Sequence, residues 1–234
     1  MIYVVSDLHG NYDGFLKMLD EIDFKDSDTL YVLGDVVDRG PKPLELLADM
    51  ACRPNVIPIL GNHDYVAFTV LSQIRDIQDD EDAGDYLDAA GLRLYTWWME
   101  NEGRITFEAF LAADEDTRED ILDYLEEFSL YEEAEAGGYS FVLVHAGIKN
   151  FKPEKNLDKY NLNDLIFEKP DYGKVYFEDR ILVTGHTPTA WIEGCAPNKV
   201  YRNKNHLAVD LSFEHIIAAV RLDDGKEFYI KNSY

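Results

Sequence analysis

Five short polar segments of the sequence carry side chains that could hold metal ions and a phosphate group. They are, in order, Asp7 and His9; Asp35, Asp38 and Arg39; Asn62, His63 and Asp64; His145; and His186. Carboxylate, imidazole and amide groups with no cysteine among them suit Mn²⁺, Fe, Zn²⁺ or Mg²⁺ rather than a thiolate site. An arginine beside them could bind two oxygens of one phosphate. These residue types predict a metal site that acts on phosphate.

Several carboxylate and imidazole ligands that share one aspartate would hold two metal ions. Such ions typically lie about 3.5–4 Å apart, with a water or hydroxide between them. That water is nucleophilic near neutral pH, and its in-line attack on phosphorus needs no covalent intermediate. The sequence also has no Cys-based phosphatase loop, which agrees with direct attack.

Each polar segment follows a short apolar run that is typical of a buried strand. The runs are Met1–Val5, Thr29–Leu33, Val56–Leu60, Tyr139–Val144 and Arg180–Val183. Helical spacing of apolar residues between the first three runs predicts βαβαβ units and a largely parallel sheet. Open α/β sheets bind ligands at the carboxyl ends of their strands. One histidine there would be an ordinary rim residue, but five segments that converge on one edge predict a functional site.

Helical patterns in the middle of the chain predict an insertion, of about residues 76–130, over one sheet edge. The patterns cover Asp85–Asn101, Thr106–Ala113 and Arg118–Phe128, after an acidic link at Asp79–Asp82. Two adjacent tryptophans, Trp97 and Trp98, are expected in the core. Strand patterns return in a hairpin over residues 131–144 and in the C-terminal part of the chain, at Lys199–Tyr201, His206–Asp210, His215–Val220 and Phe228–Ile230.

Length and composition favour a single domain over residues 1–234, because a chain of this length with 46% apolar residues can bury a sizeable core. Its net charge of −24 argues against nucleic acid and anionic membranes as partners, and residues 76–135 carry −18 of that charge. The apolar runs are shorter than the roughly 20 residues of a membrane span, and no signal-peptide pattern precedes the first motif. We therefore expect a cytoplasmic protein, and the sequence leaves its oligomeric state open.

The five polar segments resemble, in order and spacing, the motifs of the calcineurin-like metallophosphoesterases. Within that group the chain resembles the bacterial and phage branch of the phosphoprotein phosphatase (PPP) family of serine/threonine phosphatases. The resemblance implies an α/β fold, a β-sandwich of two mixed sheets flanked by helices. It covers residues 3 to about 212 and rests on Asp7-Leu8-His9-Gly10, Gly34–Gly40 (GDVVDRG), Gly61-Asn62-His63-Asp64, His145-Ala146-Gly147 and Gly185-His186. A weaker match over Trp98–Thr106 moves that part of the insertion towards the wall of the substrate pocket.

The resemblance also implies two divalent metal ions, with Mn²⁺ the expected ion. Asp7 and His9 would hold the first ion. Asp35 would bridge both ions, and the second would be held by Asn62, His145 and His186.

The same resemblance implies how the phosphoester would be handled. His63 would be the general acid that protonates the leaving alkoxide, with Asp38 orienting its ring. Arg39 would clamp two phosphate oxygens, and Asn62 would be a second phosphate contact. Asp64 would support the motif loop.

One arginine that the resemblance implies is missing. PPP members carry a second phosphate-binding arginine between the last two histidine motifs, whereas residues 164–170 (DLIFEKP) contain none. Lys169 is the nearest cation. Either Lys169 substitutes with looser geometry, or Arg39 and the metal ions hold the phosphate.

The resemblance predicts a phosphatase that hydrolyses phosphoserine and phosphothreonine monoesters, with a phosphoprotein or a small phosphoester as partner. One alternative is a symmetrical diadenosine-tetraphosphate hydrolase, or another metallophosphoesterase, with the same metal ligands. A remote alternative is a phosphoprotein-binding scaffold with a degenerate site, although every expected ligand is present. The hydrolase branch usually has alanine where this chain has Asp38, so Asp38-Arg39 favours the phosphatase.

Overall fold

The computed structural model describes residues 1–78, 81–203 and 205–231. Strands and α-helices follow one another there as β1 (Ile2–Val5), α1 (Tyr12–Glu21), β2 (Thr29–Val32), α2 (Pro43–Ala51), β3 (Val56–Pro58), α3 (Asn62–Leu71), α4 (Ala89–Glu100), α5 (Arg104–Ala112), α6 (Glu115–Glu126), β4 (Tyr131–Ala136), β5 (Tyr139–Val144), α7 (Leu162–Ile166), β6 (Arg180–Thr184), β7 (Tyr201–Asn203), β8 (His206–Ala208), β9 (Ile216–Arg221) and β10 (Glu227–Lys231). No helix in these ranges has the length and apolar character needed to cross a membrane.

The strands form two mixed five-stranded sheets, which confirms the expected α/β sandwich. The first sheet has the order β10-β9-β1-β2-β3. Its three N-terminal strands are parallel, and β9 and β10 join them in antiparallel pairs. The second sheet has the order β4-β5-β6-β8-β7, with a parallel centre and an antiparallel strand at each edge.

Alternation of side chains along the strands builds the apolar layers, because successive residues of a strand point to opposite faces. In β1, Val4 packs between the two sheets, whereas Tyr3 and Val5 pack with the helices of the first sheet. In β5, Leu143 packs between the sheets, whereas Val142 packs with α7 on the outer face. Both faces of each sheet are therefore covered by apolar contacts.

The parallel strands bring their C-terminal loops together at one edge of the sandwich. The Asp7 N–H donates to the Gly34 carbonyl at 3.0 Å, and the His9 N–H donates to the Asp35 carbonyl at 2.9 Å. In the second sheet the Gly185 N–H donates to the His145 carbonyl at 2.8 Å. Backbone hydrogen bonds thus fix the polar segments side by side.

The helical insertion packs against two helices of the first sheet. Helices α4, α5 and α6 pack on α2 and α3, and their buried Trp98 and Phe110 belong to the apolar layer of the first sheet. The chain that leaves α6 reaches the edge strand, where the Leu60 N–H donates to the Ser129 carbonyl at 2.7 Å. The expected acidic link at Asp79–Asp82 falls partly on residues 79 and 80, which lie outside the described residues.

Candidate active site

Two groups of potential metal ligands meet at Asp35. One group adds Asp7 and His9, the other adds His145 and His186, and the ligand atoms of each group lie within 4.8 Å of one another. Four of these side chains are buried and His186 is half-buried. Two sets of ligands around one shared carboxylate are suited to a pair of divalent cations.

Asn62 lies with the second group. Its Oδ1 is 3.0 Å from His145 Nε2 and 2.8 Å from His186 Nδ1. It is the first residue of α3, and the preceding Gly61 passes so close to Asp35 that a Cβ at Gly61 would lie 2.2 Å from the Asp35 nitrogen. Only glycine allows this approach. All six predicted metal ligands therefore converge on one site.

The hydrogen bonds of His9 and His145 leave the Nε2 atom of each ring in a position to bind a cation. His9 Nδ1 donates to the Val37 carbonyl at 2.9 Å, and His145 Nδ1 donates to the Leu33 carbonyl at 2.6 Å. In a neutral ring the other nitrogen then carries a lone pair. His9 Nε2 points towards Asp35 at 3.9 Å and has no hydrogen-bond partner among the described residues, and His145 Nε2 lies 3.5 Å from Asp35. Lone pairs that face a carboxylate match metal ligation.

The electrostatics of the site also favour bound cations. Burial lowers the pKa of His9 to about 3 and that of His186 to about 4, so both rings are neutral ligands near neutral pH. Burial, together with the neighbouring Asp210 and Asp35 carboxylates, raises the pKa of Asp7. Burial would also raise the pKa of Asp35, but the surrounding histidines outweigh it and lower that pKa. Buried carboxylates packed this closely need positive charge nearby.

His63 and Asp38 form a buried pair beside the ligands. His63 Nδ1 donates to Asp38 Oδ2 at 2.6 Å. Burial works against a charged His63 ring, but Asp35 and Asp38 outweigh it and raise the pKa of His63. Asp38 also accepts the Trp98 indole N–H at 2.7 Å, and its backbone N–H donates to the Thr106 hydroxyl at 2.9 Å. The helical insertion thus holds the carboxylate that orients His63.

Arg39 is the cation of the site. Its Nε lies 3.2 Å from Glu102 Oε2, and its Nη2 lies 3.4 Å from His63 Nε2. The side chain is 39% exposed, so the guanidinium can still reach a phosphate. Glu102, which the sequence did not single out, directs it towards the cleft.

A cavity of about 230 Å³ opens above these groups. Its lining contains Asp7, Asp35, Arg39, Asn62, His63, Trp97, Asn101, His186, Pro188, Trp191, Asp210, Ser212 and Phe213. A second cavity of about 180 Å³ shares Asp7 and Arg39 with it and extends to Glu102 and His215. The two cavities together form the cleft. Trp97 is half-buried here and lies 5.5 Å from His63 between ring centroids, so it is a wall residue as well as a core residue.

Lys169, His215 and Asp64 have different places relative to the cleft. Lys169 is exposed and does not line either cavity, so the structure does not bring it to the other phosphate candidates. His215, which lies outside the five polar segments, lines the smaller cavity. Asp64 accepts the N–H groups of Val36 and Val37 at 2.9 and 3.2 Å, as a support of the motif loop would.

Asp210 is the buried site residue that sequence reasoning missed. It follows β8, it is 1% exposed, and its Oδ1 accepts the Ser212 N–H at 2.8 Å. Burial raises its pKa to about 6. The sequence places this aspartate at the end of the predicted strand His206–Asp210, but no glycine or histidine motif marks it.

The sequence profile of the calcineurin-like phosphoesterases matches residues 1–219, nearly the whole chain. The chain belongs to this family. The match extends beyond the resemblance over residues 3 to 212 and includes every residue of the cleft.

Among curated proteins, the chain is similar to symmetrical bis(5'-nucleosyl)-tetraphosphatases. It is 27% identical to that of Wigglesworthia glossinidia brevipalpis over 172 residues, which cover 70% of this chain and 63% of the relative. It is 32% identical to that of Acidovorax ebreus (strain TPSY) over 149 residues, which cover 63% of this chain and 44% of the relative. The chain thus spans less than two thirds of the length of either.

One similar solved structure is described as "a putative diadenosine tetraphosphatase". It superposes with a TM-score of 0.65 at 16% identity and covers 99% of this chain and 93% of that chain. At this identity the likeness shows the fold alone. It supports the two-sheet architecture.

The relatives contradict the prediction of a phosphoserine and phosphothreonine phosphatase. The prediction came from the resemblance of the five motifs, and Asp38 was the residue that favoured the phosphatase over the dinucleotide hydrolase. In the structure Asp38 is fully buried and contacts His63 and Trp98. It does not line the cleft. Asp38 therefore orients His63 and does not distinguish one substrate class from the other.

Proposed function

We propose that this protein is a metal-dependent phosphoester hydrolase that cleaves dinucleoside tetraphosphates symmetrically, between the second and third phosphorus atoms. The observation that carries the proposal is the pair of ligand groups around Asp35, with His63 and Arg39 at the same cleft. Relatives named symmetrical bis(5'-nucleosyl)-tetraphosphatases support the substrate class.

The metal requirement follows from the ligand set. Asp7, His9 and Asp35 would hold one divalent cation, and Asp35, Asn62, His145 and His186 would hold the other. When bound, the pair supplies Lewis acidity and lowers the pKa of a water. We propose Mn²⁺, because carboxylate, imidazole and amide ligands without a thiolate suit it.

Arg39 would bind and orient the phosphate chain. Its planar guanidinium can donate two parallel hydrogen bonds to the oxygens of one phosphate, which a lysine cannot do. The contact with Glu102 holds the guanidinium at the mouth of the cleft. A local cation matters here because the chain carries a net charge of −24, which repels an anionic substrate at longer range.

His63 would supply the proton to the leaving diphosphate. Its Nδ1 is occupied by Asp38 at 2.6 Å, so Nε2 is the ring nitrogen that would carry the proton for the leaving group. The raised pKa of His63 keeps a larger share of the ring protonated near neutral pH. Water adds to one phosphorus and releases a proton to solvent, and the P–O bond to the leaving group breaks. The leaving group takes the proton from Nε2, and His63 regains a proton from solvent.

Steady-state kinetics on the full chain with Mn²⁺ test the proposal. We expect kcat/KM for diadenosine tetraphosphate to exceed that for a phosphoserine peptide by at least roughly tenfold, and a chelator to abolish the activity. A protein that hydrolyses neither compound, or that prefers the peptide, would contradict the substrate class.

A further inference from the structure

We propose that Trp191 and Phe213 form a stacking platform for one nucleobase of the substrate at the rim of the cleft. The two rings are 5.4 Å apart between centroids, with an interplanar angle of 60°. Both line the same cavity as Asp35, His63 and Arg39. The inference rests on the proposed function, since it names the part of the cleft that would bind the base.

The pair is unusual because both rings are left open to solvent. Trp191 is 59% exposed and Phe213 is 60% exposed. Among the described exposed large apolar side chains, these two are the ones that line this cavity. Large aromatic side chains contribute most when their faces are covered, and a ligand in the cleft would cover them.

The two rings are held in place by the loops that carry the site. Trp191 lies five residues after His186, and Phe213 lies three residues after Asp210. The Thr189 N–H donates to the Asp210 carbonyl at 2.8 Å and ties one loop to the other. Ile192 and Leu211, close in sequence to the two exposed rings, are buried, with 5% and 1% of their surface exposed. These buried neighbours anchor both loops.

The size of the cavity places the base at the rim. Its volume of about 230 Å³, even with the adjoining cavity of about 180 Å³, is at the lower end of the roughly 300–1,000 Å³ of pockets that enclose a drug-sized ligand, and a dinucleoside tetraphosphate is larger than such a ligand. The cavity can therefore take part of the phosphate chain between Asp35 and Arg39, while the rest of a dinucleotide lies outside. An uncharged aromatic surface next to that opening suits a purine, because stacking needs no base-specific hydrogen bond.

The affinities of ADP and of inorganic pyrophosphate for the metal-loaded protein, measured separately, test the platform without turnover. We expect Trp191→Leu and Phe213→Leu each to weaken ADP binding roughly 5- to 150-fold, the change that corresponds to about 1–3 kcal/mol of base stacking. Pyrophosphate binding should stay unchanged. Trp191→Phe should keep most of the ADP affinity because it restores an aromatic face. Tyr139→Leu, which removes a 63% exposed ring outside this cavity, is the matched control.

Several results would overturn the platform. Equal losses for ADP and pyrophosphate would mean that the variants disturb the metal site. Wild-type protein that binds ADP no more tightly than pyrophosphate would mean that the base is not recognised. A wild-type dimer that Trp191→Leu converts to a monomer, with unchanged ADP affinity, would assign the rings to a second copy of the chain. Failure to hydrolyse diadenosine tetraphosphate, with the ADP preference intact, would instead overturn the proposed function alone.

Discussion

The His63–Asp38 pair predicts a dependence on the leaving group. A weakly basic leaving group needs little help from an acid, whereas a basic one needs its proton in the transition state. We expect His63→Asn to reduce kcat roughly 10²- to 10⁴-fold on phenyl phosphate, the range typical of general acid catalysis, and to reduce it less on p-nitrophenyl phosphate. Metal content should not change. Equal losses on the two esters would contradict a proton-transfer role.

Arg39 and Lys169 make a matched pair of cations. Arg39 lines the cleft, whereas Lys169 is exposed elsewhere. We expect Arg39→Ala to lower kcat/KM for diadenosine tetraphosphate roughly 10- to 150-fold, as the loss of a charged hydrogen-bonding partner predicts. Arg39→Lys should recover only part of the lost kcat/KM, because lysine lacks the planar guanidinium that donates two parallel hydrogen bonds. Lys169→Ala should behave as wild type, and a comparable loss there would assign phosphate binding to Lys169.

Backbone strain is concentrated at the same residues. Among the described residues, eleven non-glycine positions have a positive φ, and six of them are Asp7, His9, Asp35, Asp38, Arg39 and His186. Such conformations are costly for non-glycine residues and persist where the surroundings enforce them. The residue types of the site could be predicted from the sequence, because ligand chemistry depends on side-chain identity. Their strained conformations could not, because neighbouring loops impose them.

At the scale of elements, α4 and α5 act through Asp38. We expect Trp98→Phe to lower kcat roughly tenfold, because the variant loses the hydrogen bond from the indole N–H to a carboxylate. Its KM should change little, since Trp98 is buried and does not touch the cleft. Phe110→Leu is the control, because Phe110 is buried in the same apolar layer. If both variants lose kcat equally, the insertion contributes stability rather than positioning.

Strand β8 carries a second testable feature at His206. The ring is buried, its Nε2 lies 3.0 Å from the Thr184 hydroxyl, and burial lowers its pKa from 6.5 to about 4. The unfolded chain binds this proton below pH 6.5 and the folded chain only near pH 4. The contribution of a neutral His206 to stability is therefore present above pH 6.5 and is lost as the pH falls to 4.

Urea unfolding at several pH values measures this effect. Between pH 7 and pH 4, the free energy of unfolding of the wild type should fall by about 3 kcal/mol more than that of His206→Gln. Glutamine keeps a polar atom near Thr184 but has no titrating ring. Parallel curves for the two proteins would show that His206 is not held neutral in the folded state.

How well each element could be predicted depended on its local signal. The βα units and the hairpin β4–β5 have periodic apolar residues and turn glycines, and they occur where expected. The five-residue helix α7 is too short to show a helical period in the sequence. The insertion was recognised as helical, but its packing on α2 and α3 depends on long-range contacts that periodicity does not encode.

At the scale of the whole molecule, the site is built from residues of both sheets. His145, after β5, donates to the Leu33 carbonyl of the first sheet, and the His186 N–H donates to Asp7 at 3.0 Å. The ligands therefore come from both ends of the chain. This interdependence supports the single domain expected over residues 1–234, which stays a prediction.

The substrate class is the feature that the whole sequence left most open. Phosphate-binding residues indicate that the substrate carries a phosphoryl group, and this is true of the substrates of protein phosphatases and of dinucleotide hydrolases. The residues that would separate the two classes, Trp191 and Phe213, lie in three-residue 3₁₀ turns after the motifs and have no repeating pattern around them. They can be recognised only once the fold brings them to the cleft.

Product analysis after hydrolysis of diadenosine tetraphosphate by the Mn²⁺-loaded protein tests the central claim most directly. Symmetrical cleavage converts each substrate molecule into two molecules of ADP, so chromatography should show ADP as the sole nucleotide product. The reaction should be lost in Asp35→Asn, because this carboxylate is common to both ligand groups. Formation of AMP with ATP, or no cleavage by a protein that binds its metal ions, would contradict the account.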